Sequence, residues 1–110
     1  MTKEELSQYR SIKNEISQIE RRIKAMDGRT DDVGATQSLR DLYNEKLQEL
    51  TACQLRIEKA IESLSSTERV LMRMRYIDGA DWIRVAETIN YEWAQTHRLH
   101  AKALAKIKDL

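Results

Sequence analysis

Residues 65–108 read SSTERVLMRMRYIDGADWIRVAETINYEWAQTHRLHAKALAKIK, and local signals divide this stretch into short helices. Ser65 followed by Glu68 fits a capping box, in which each side chain accepts a hydrogen bond from the other residue's backbone amide. Asp78 and Gly79 then form a stop signal, because glycine adopts the positive φ of a helix terminus without strain. The first helix is therefore expected between this cap and this stop.

Two further helices follow, and a very short corner separates them. Asp81 is a candidate cap for the second helix, residues 90–92 form the corner, and the third helix runs from Trp93 to about Lys108. Three short helices with a tight turn between the last two are typical of a helix-turn-helix module over residues 65–110. The positions expected to face its core are Val70, Leu71, Met74, Ile77, Trp82, Val85, Ala86, Ile89, Thr96, Leu99, Ala103 and Ile107.

The first 64 residues carry two long apolar stripes with heptad-like spacing. One comprises Tyr9, Ile12, Ile16, Ile19, Ile23 and Met26, and the other comprises Leu39, Leu42, Tyr43, Leu47, Leu50, Cys53, Ile57, Ile61 and Leu64. The polar segment DGRTDDVG at 27–34 separates them, so the pattern predicts a long, coiled-coil-like antiparallel hairpin over residues 1–64. Two helices enclose little volume, so we expect the hairpin to form a dimer or a higher oligomer through Ile16, Ile19, Ile23, Leu50 and Ile57.

The composition favours an all-α, intracellular protein. Charged residues make up 34% of the 110 residues, and Pro and Phe do not occur, which favours exposed helices over sheet. Cys53 is the single cysteine, so no internal disulfide can form and a reducing compartment is expected. No apolar run is long enough to span a membrane, and the start MTKEELSQYR does not resemble a signal peptide. We therefore expect a cytoplasmic protein without a membrane partner.

The outer face of the last helix is small and basic. If the predicted inner positions face the core, the outer face carries Ala94, His97, Arg98, Ala101, Lys102 and Ala105. Alanines allow the helix backbone to approach a groove wall closely, while Arg98 could reach a base edge and Lys102 a phosphate. The alternative interpretation is an ordinary solvated helix surface.

Residues 68–108 resemble region four of bacterial sigma factors, the helix-turn-helix part that reads the −35 promoter element. The matching motifs are RMRY at the end of the scaffold helix, VAETIN in the supporting helix and AKALAKIK at the end of the recognition helix. With the hairpin in front, the chain resembles phage-encoded late-gene regulators of the ArpU/RinA type, through Arg75-Tyr76, Trp82 and Arg98-Leu99-His100. These resemblances imply a sequence-specific transcription regulator that binds double-stranded DNA and contacts RNA polymerase in a bacterial host.

The sigma resemblance also implies particular DNA contacts. The base-contacting positions fall on Trp93, Ala94 and Arg98, where sigma factors typically have Arg, Glu and Gln, and a phosphate-contacting position falls on His97. Together with the outer-face residues Ala101 and Lys102, these form the candidate DNA-binding set. Of the three base-contacting positions, only Arg98 carries a polar side chain that could hydrogen-bond to a base. We therefore do not expect this chain to recognise the ordinary −35 sequence.

Other function classes have weaker support in the sequence. The sequence contains no pairing of a nucleophile with a base and no glycine-rich phosphate loop, so we expect no enzyme activity and no cofactor. The two histidines have no cysteine near them in the sequence, so we expect no metal site. Residues 65–110 carry eight Lys or Arg and six Asp or Glu, a net charge of +2, so one copy should bind DNA weakly. Two alternatives stay open: a small terminase-like packaging subunit, and a helical interaction protein with a vestigial helix-turn-helix.

Overall fold

The computed structural model describes residues 1–26 and 33–110, and every regular element in them is an α-helix. The helices are α1 (Lys3–Met26), α2 (Val33–Ile61), α3 (Ser66–Tyr76), α4 (Trp82–Ile89) and α5 (Trp93–Ile107). The prediction of an all-α fold is confirmed. Most of the predicted polar break, residues 27–32, lies outside the described residues, while Val33 and Gly34 belong to α2.

The two long helices pack along each other in opposite directions. Lys46 in α2 forms an ion pair with Glu15 in α1 at 3.1 Å. Nearer the start of α1, Glu5 lines a surface depression together with Arg56 from the end of α2. The apolar stripes of the two helices face each other, which buries Leu6, Tyr9, Ile12, Ile16 and Ile19 of α1 and Cys53, Ile57, Ala60 and Ile61 of α2.

The three short helices begin and end where the local signals predict. Ser65 Oγ accepts from the Glu68 backbone N–H at 3.2 Å, and Glu68 Oε1 accepts from the Ser65 N–H at 3.0 Å. Gly79 has a φ of +72° in the segment between α3 and α4. Asp81 Oδ1 caps α4 by accepting from the Arg84 N–H at 2.8 Å. These are interactions between residues close in sequence, so they do not depend on the tertiary packing of the helices.

One apolar core joins the long helices to the short ones. Leu6 and Ile61 from the first 64 residues share a cluster with Leu71, Met72 and Ile107 from the rest of the chain. Burying side chains of this size contributes roughly 1.5–3 kcal/mol each. The division into 1–64 and 65–110 stays a prediction, and the core continues across that boundary.

Polar contacts cross the same boundary. Arg73 donates to both carboxylate oxygens of Glu58, with the shortest distance 2.7 Å, and this hydrogen bond lowers the pKa of Glu58. Arg10 donates to the Ile77 carbonyl at 3.3 Å, beside the turn that ends α3. The base of the long helix pair therefore holds α3 in a defined position.

Candidate nucleic-acid interface

A three-residue corner holds α4 and α5 in a fixed relation. Asn90 ends α4 in the left-handed conformation, with φ 59° and ψ 43°. The next amide, of Tyr91, donates back to the Ala86 carbonyl at 3.0 Å, which closes the last turn of α4. Trp93 already belongs to α5. So short a connection leaves the two helices little freedom to change their angle.

Packing against α3 and α4 buries one face of α5 and leaves the opposite face exposed to solvent. Its buried residues are Thr96, His100, Ala103 and Ile107, three of which are predicted core positions. Its exposed residues between 94 and 106 are Ala94, Gln95, Arg98, Ala101, Lys102, Ala105 and Lys106. Four of the six predicted DNA contacts, Ala94, Arg98, Ala101 and Lys102, therefore share one solvent-facing surface.

Gln95, Arg98 and Lys102 line one groove on this surface, together with Asn90, Tyr91 and Leu99. The spacing of three and then four residues places the three polar side chains above one another on the helix. Within residues 1–26 and 33–110, no side chain pairs with Arg98 or Lys102. The groove lining contains two cations and, among the described residues, no carboxylate.

Gln95 is the member of this groove that the sequence analysis missed. A helical wheel places it beside Arg98 and Lys102, but its neutral amide did not stand out among charged and aromatic neighbours. In the structure Gln95 is exposed, and its Oε1 accepts the Glu92 backbone N–H at 3.2 Å. The i, i+3, i+7 spacing of these three residues is the signal that could have identified it.

His97 does not share the outer face, contrary to the helical-wheel expectation. Its ring lies between two indoles, with centroids 4.6 Å from Trp82 and 4.5 Å from Trp93. Its Nε2 is buried without a hydrogen-bond partner among the described residues. Trp82 of α4 covers this edge of α5, which is a tertiary contact, and Trp93 adds a local contact from one turn earlier on the same helix.

Trp82 is the centre of an aromatic cluster that joins α3, α4 and α5. His100 meets it edge-on at 4.7 Å, and the Arg75 guanidinium lies 4.7 Å from its ring centroid. Trp93 at the end of this cluster is 54% exposed, next to exposed Ile83 across a second groove. The cluster packs α5 against α4, and more than half of the Trp93 surface stays exposed to solvent.

His100 adds no positive charge to the interface at neutral pH. It is buried, and its Nε2 lies 2.6 Å from the Tyr76 hydroxyl. Burial lowers the pKa of His100 to about 4, and burial raises the pKa of Tyr76 to about 12. Both groups are therefore neutral at pH 7, which fits a hydrogen bond donated by the phenol to the imidazole.

The residues predicted to mediate association occupy the space between the long helices. Ile16, Ile19 and Ile57 are buried within one chain, while Ile23 and Leu50 are half-buried. Their shared apolar stripe is therefore largely occupied by α1–α2 packing. The exposed large apolar side chains of α2 are Val33, Leu42, Leu47 and Leu55.

The described residues offer neither a metal site nor a membrane-spanning helix. Residues 1–26 and 33–110 hold no group of three or more His, Cys, Asp or Glu side chains arranged to bind a metal ion. In the same residues, no helix combines the length and the apolar character that crossing a bilayer requires.

Part of the chain is similar to a sigma factor. An RNA polymerase sigma-G factor from Clostridium acetobutylicum is 32% identical to it over 65 residues, which is 59% of this chain. The matched region is 25% of the sigma factor, so the chain spans about a quarter of that relative's length. No family model matches the chain, and no solved structure matches it significantly.

Proposed function

We propose that this protein is a sequence-specific regulator of transcription that binds double-stranded DNA through α5. The observation that carries the proposal is the basic groove on the exposed face of α5, where Arg98 and Lys102 lie beside Gln95 and have no paired side chain within residues 1–26 and 33–110. The similarity to an RNA polymerase sigma factor supports it. The proposal describes a binding protein without catalytic activity, acting on DNA in the cytoplasm of a bacterial host.

In this proposal α4 and α5 are a helix-turn-helix, and the N-terminal half of α5 enters the major groove. Ala94 and Ala101 present no bulk on the exposed face, so the helix backbone can approach the base edges. The planar fork of Arg98 matches the O6 and N7 acceptors of guanine, whereas the single ammonium of Lys102 suits a phosphate oxygen. Specificity then depends chiefly on Arg98, and general affinity depends on Lys102.

Pairing of two copies would compensate for the low charge. With a net charge of +2 over residues 65–110, one copy makes few phosphate contacts, and two linked copies on neighbouring half-sites would double them. We propose that this association uses Leu42 and Leu47, the members of the α2 stripe that stay exposed, because the rest of that stripe is buried or half-buried within one chain. We also propose that the protein is a phage-type late-gene regulator and that it contacts RNA polymerase.

The experiment compares Arg98→Ala with Lys102→Ala on a duplex selected by the wild-type protein from a random library. Arg98→Ala should lower affinity for the selected duplex by roughly 1–3 kcal/mol and leave binding to a scrambled duplex largely unchanged. Lys102→Ala should weaken binding to both duplexes about equally and reduce the salt slope by about 1. Lys13→Ala, which removes an exposed cation from α1, is the matched control and should change neither.

Competition gel shifts at several salt concentrations measure these effects, with circular dichroism to verify folding. Equal losses for Arg98→Ala on both duplexes would make Arg98 a phosphate contact. Unchanged binding in both variants would place α5 away from the DNA and refute the proposed interface. Capture of purified bacterial RNA polymerase by the immobilised full chain tests the second partner, and no retention above that of a blank surface would refute it.

A further inference from the structure

Gln95 occupies a position from which it can read a base as well as cap a helix. It is the third residue of α5, it is exposed, and it lines the groove that contains Arg98 and Lys102. The backbone N–H of Glu92 is a donor, so the Gln95 atom that faces it at 3.2 Å is the acceptor Oε1. This hydrogen bond restrains the side chain and leaves its Nε2 amino group unpaired among the described residues.

We propose that Gln95 reads an adenine in the major groove, and this inference rests on the function proposed above. A carboxamide offers one acceptor and one donor, which match the N6 amino group and the N7 acceptor of adenine. The Oε1 atom has a second lone pair, so it can accept from adenine N6 while it still caps the Glu92 amide. Because this hydrogen bond already orders the side chain, binding has less conformational entropy to overcome.

The helix geometry also limits where this adenine lies in the site. Gln95 precedes Arg98 by three residues, which is about 4.5 Å along the helix axis. Successive base pairs are about 3.4 Å apart, so the base that Gln95 reads lies within two base pairs of the guanine assigned to Arg98. The other exposed positions on this side of the helix, Ala94 and Ala101, carry no polar group that could make the same contact.

The test is the substitution Gln95→Glu. A carboxylate at this position still accepts a hydrogen bond from the Glu92 N–H, and its negative charge interacts favourably with the positive N-terminal end of the helix dipole. We therefore expect α5 to fold normally. It loses the amino donor, and a carboxylate instead accepts from the N4 amino group of cytosine. The variant should therefore replace adenine by cytosine at one position of the selected site and keep the neighbouring guanine.

Wild-type protein and Gln95→Glu are each used to select duplexes from one random library, together with Gln54→Glu as a control. Gln54 is exposed on α2, so the control adds the same charge away from α5. Two duplexes that differ only by adenine or cytosine at the identified position are then compared by competition. The wild type should prefer adenine at least about fivefold, Gln95→Glu should reverse the preference, and Gln54→Glu should retain it.

The ratio between two duplexes cancels the general repulsion that an added carboxylate causes. An unchanged motif and an unchanged ratio in Gln95→Glu would overturn the assignment while leaving DNA binding by α5 intact. Failure of the wild type to select any motif would instead refute the proposed function itself. Gln95→Ala provides a second reading, because it should remove discrimination at that position alone, and undiminished discrimination would also overturn the assignment.

Discussion

Replacing His100 by Gln should remove much of the pH dependence of stability between pH 7 and pH 5. In the folded protein His100 is 8% exposed and lies 2.6 Å from the Tyr76 hydroxyl, which donates to its neutral ring. Burial, with the nearby charges of Lys3, His97 and Arg75, lowers the pKa of His100 to about 4 from an ordinary 6.5. Between about pH 6.5 and pH 4, His100 is therefore mostly neutral in the folded protein and mostly protonated in the unfolded chain.

The sign and size of the effect follow from this difference. Because the folded-state pKa is lower, the stabilisation is fully present above about pH 6.5 and is lost as the pH falls towards 4. A shift of one pKa unit corresponds to about 1.4 kcal/mol, so the full effect is about 3 kcal/mol, of which about 2 kcal/mol is lost between pH 7 and pH 5. Carboxylates such as Glu58, whose pKa Arg73 lowers, act in a more acidic range.

Urea unfolding followed by circular dichroism at pH 7, 6 and 5 measures this dependence. Wild-type protein should lose about 2 kcal/mol of unfolding free energy more than His100→Gln over this range, since the Gln carbonyl can still accept from Tyr76 without titrating. His97→Gln, which removes the other histidine, is measured alongside and shows how much of the dependence needs that residue. Parallel curves for wild type and His100→Gln would refute the reasoning.

Two further predictions concern the buried carboxylate and the association of two copies. Burial opposes ionisation of Glu68, but hydrogen bonds from Lys106 and Ser65 outweigh this effect and lower the pKa of Glu68. Lys106→Met leaves the buried carboxylate without its cation, so urea unfolding should show a loss of about 2–3 kcal/mol more than for Lys102→Met. Equal losses in the two variants would contradict this. Light scattering should show that the wild-type protein is a dimer and that the double variant Leu42→Glu, Leu47→Glu is a folded monomer. A wild-type protein that is monomeric at micromolar concentration would refute the association.

The helix boundaries in the second part of the chain were predictable because their causes are local. Glu68 contacts Ser65 across three residues, and the Asp81 carboxylate reaches the amide of Arg84 in the same way. The burial of Cys53 and Ile57 was likewise predictable, since a heptad-like stripe on a long helix must face an apolar partner. The stripe does not specify whether that partner is α1 of the same chain or a helix of a second copy.

The sequence by itself thus determined an all-α chain, its helix caps, and the exposed, basic character of Arg98 and Lys102. Only the tertiary structure decided that Ile57 shares a core with α1 and that His97 packs against Trp82 instead of facing solvent on the outer side of α5. It also decided that Gln95 and Arg98 line a common groove with the α4–α5 corner. The physical reason is the sequence separation of the interacting residues. Helix caps and apolar periodicity depend on residues a few positions apart, whereas the burial of a side chain depends on which residues distant in sequence pack against it, and one apolar stripe can pack against more than one partner surface.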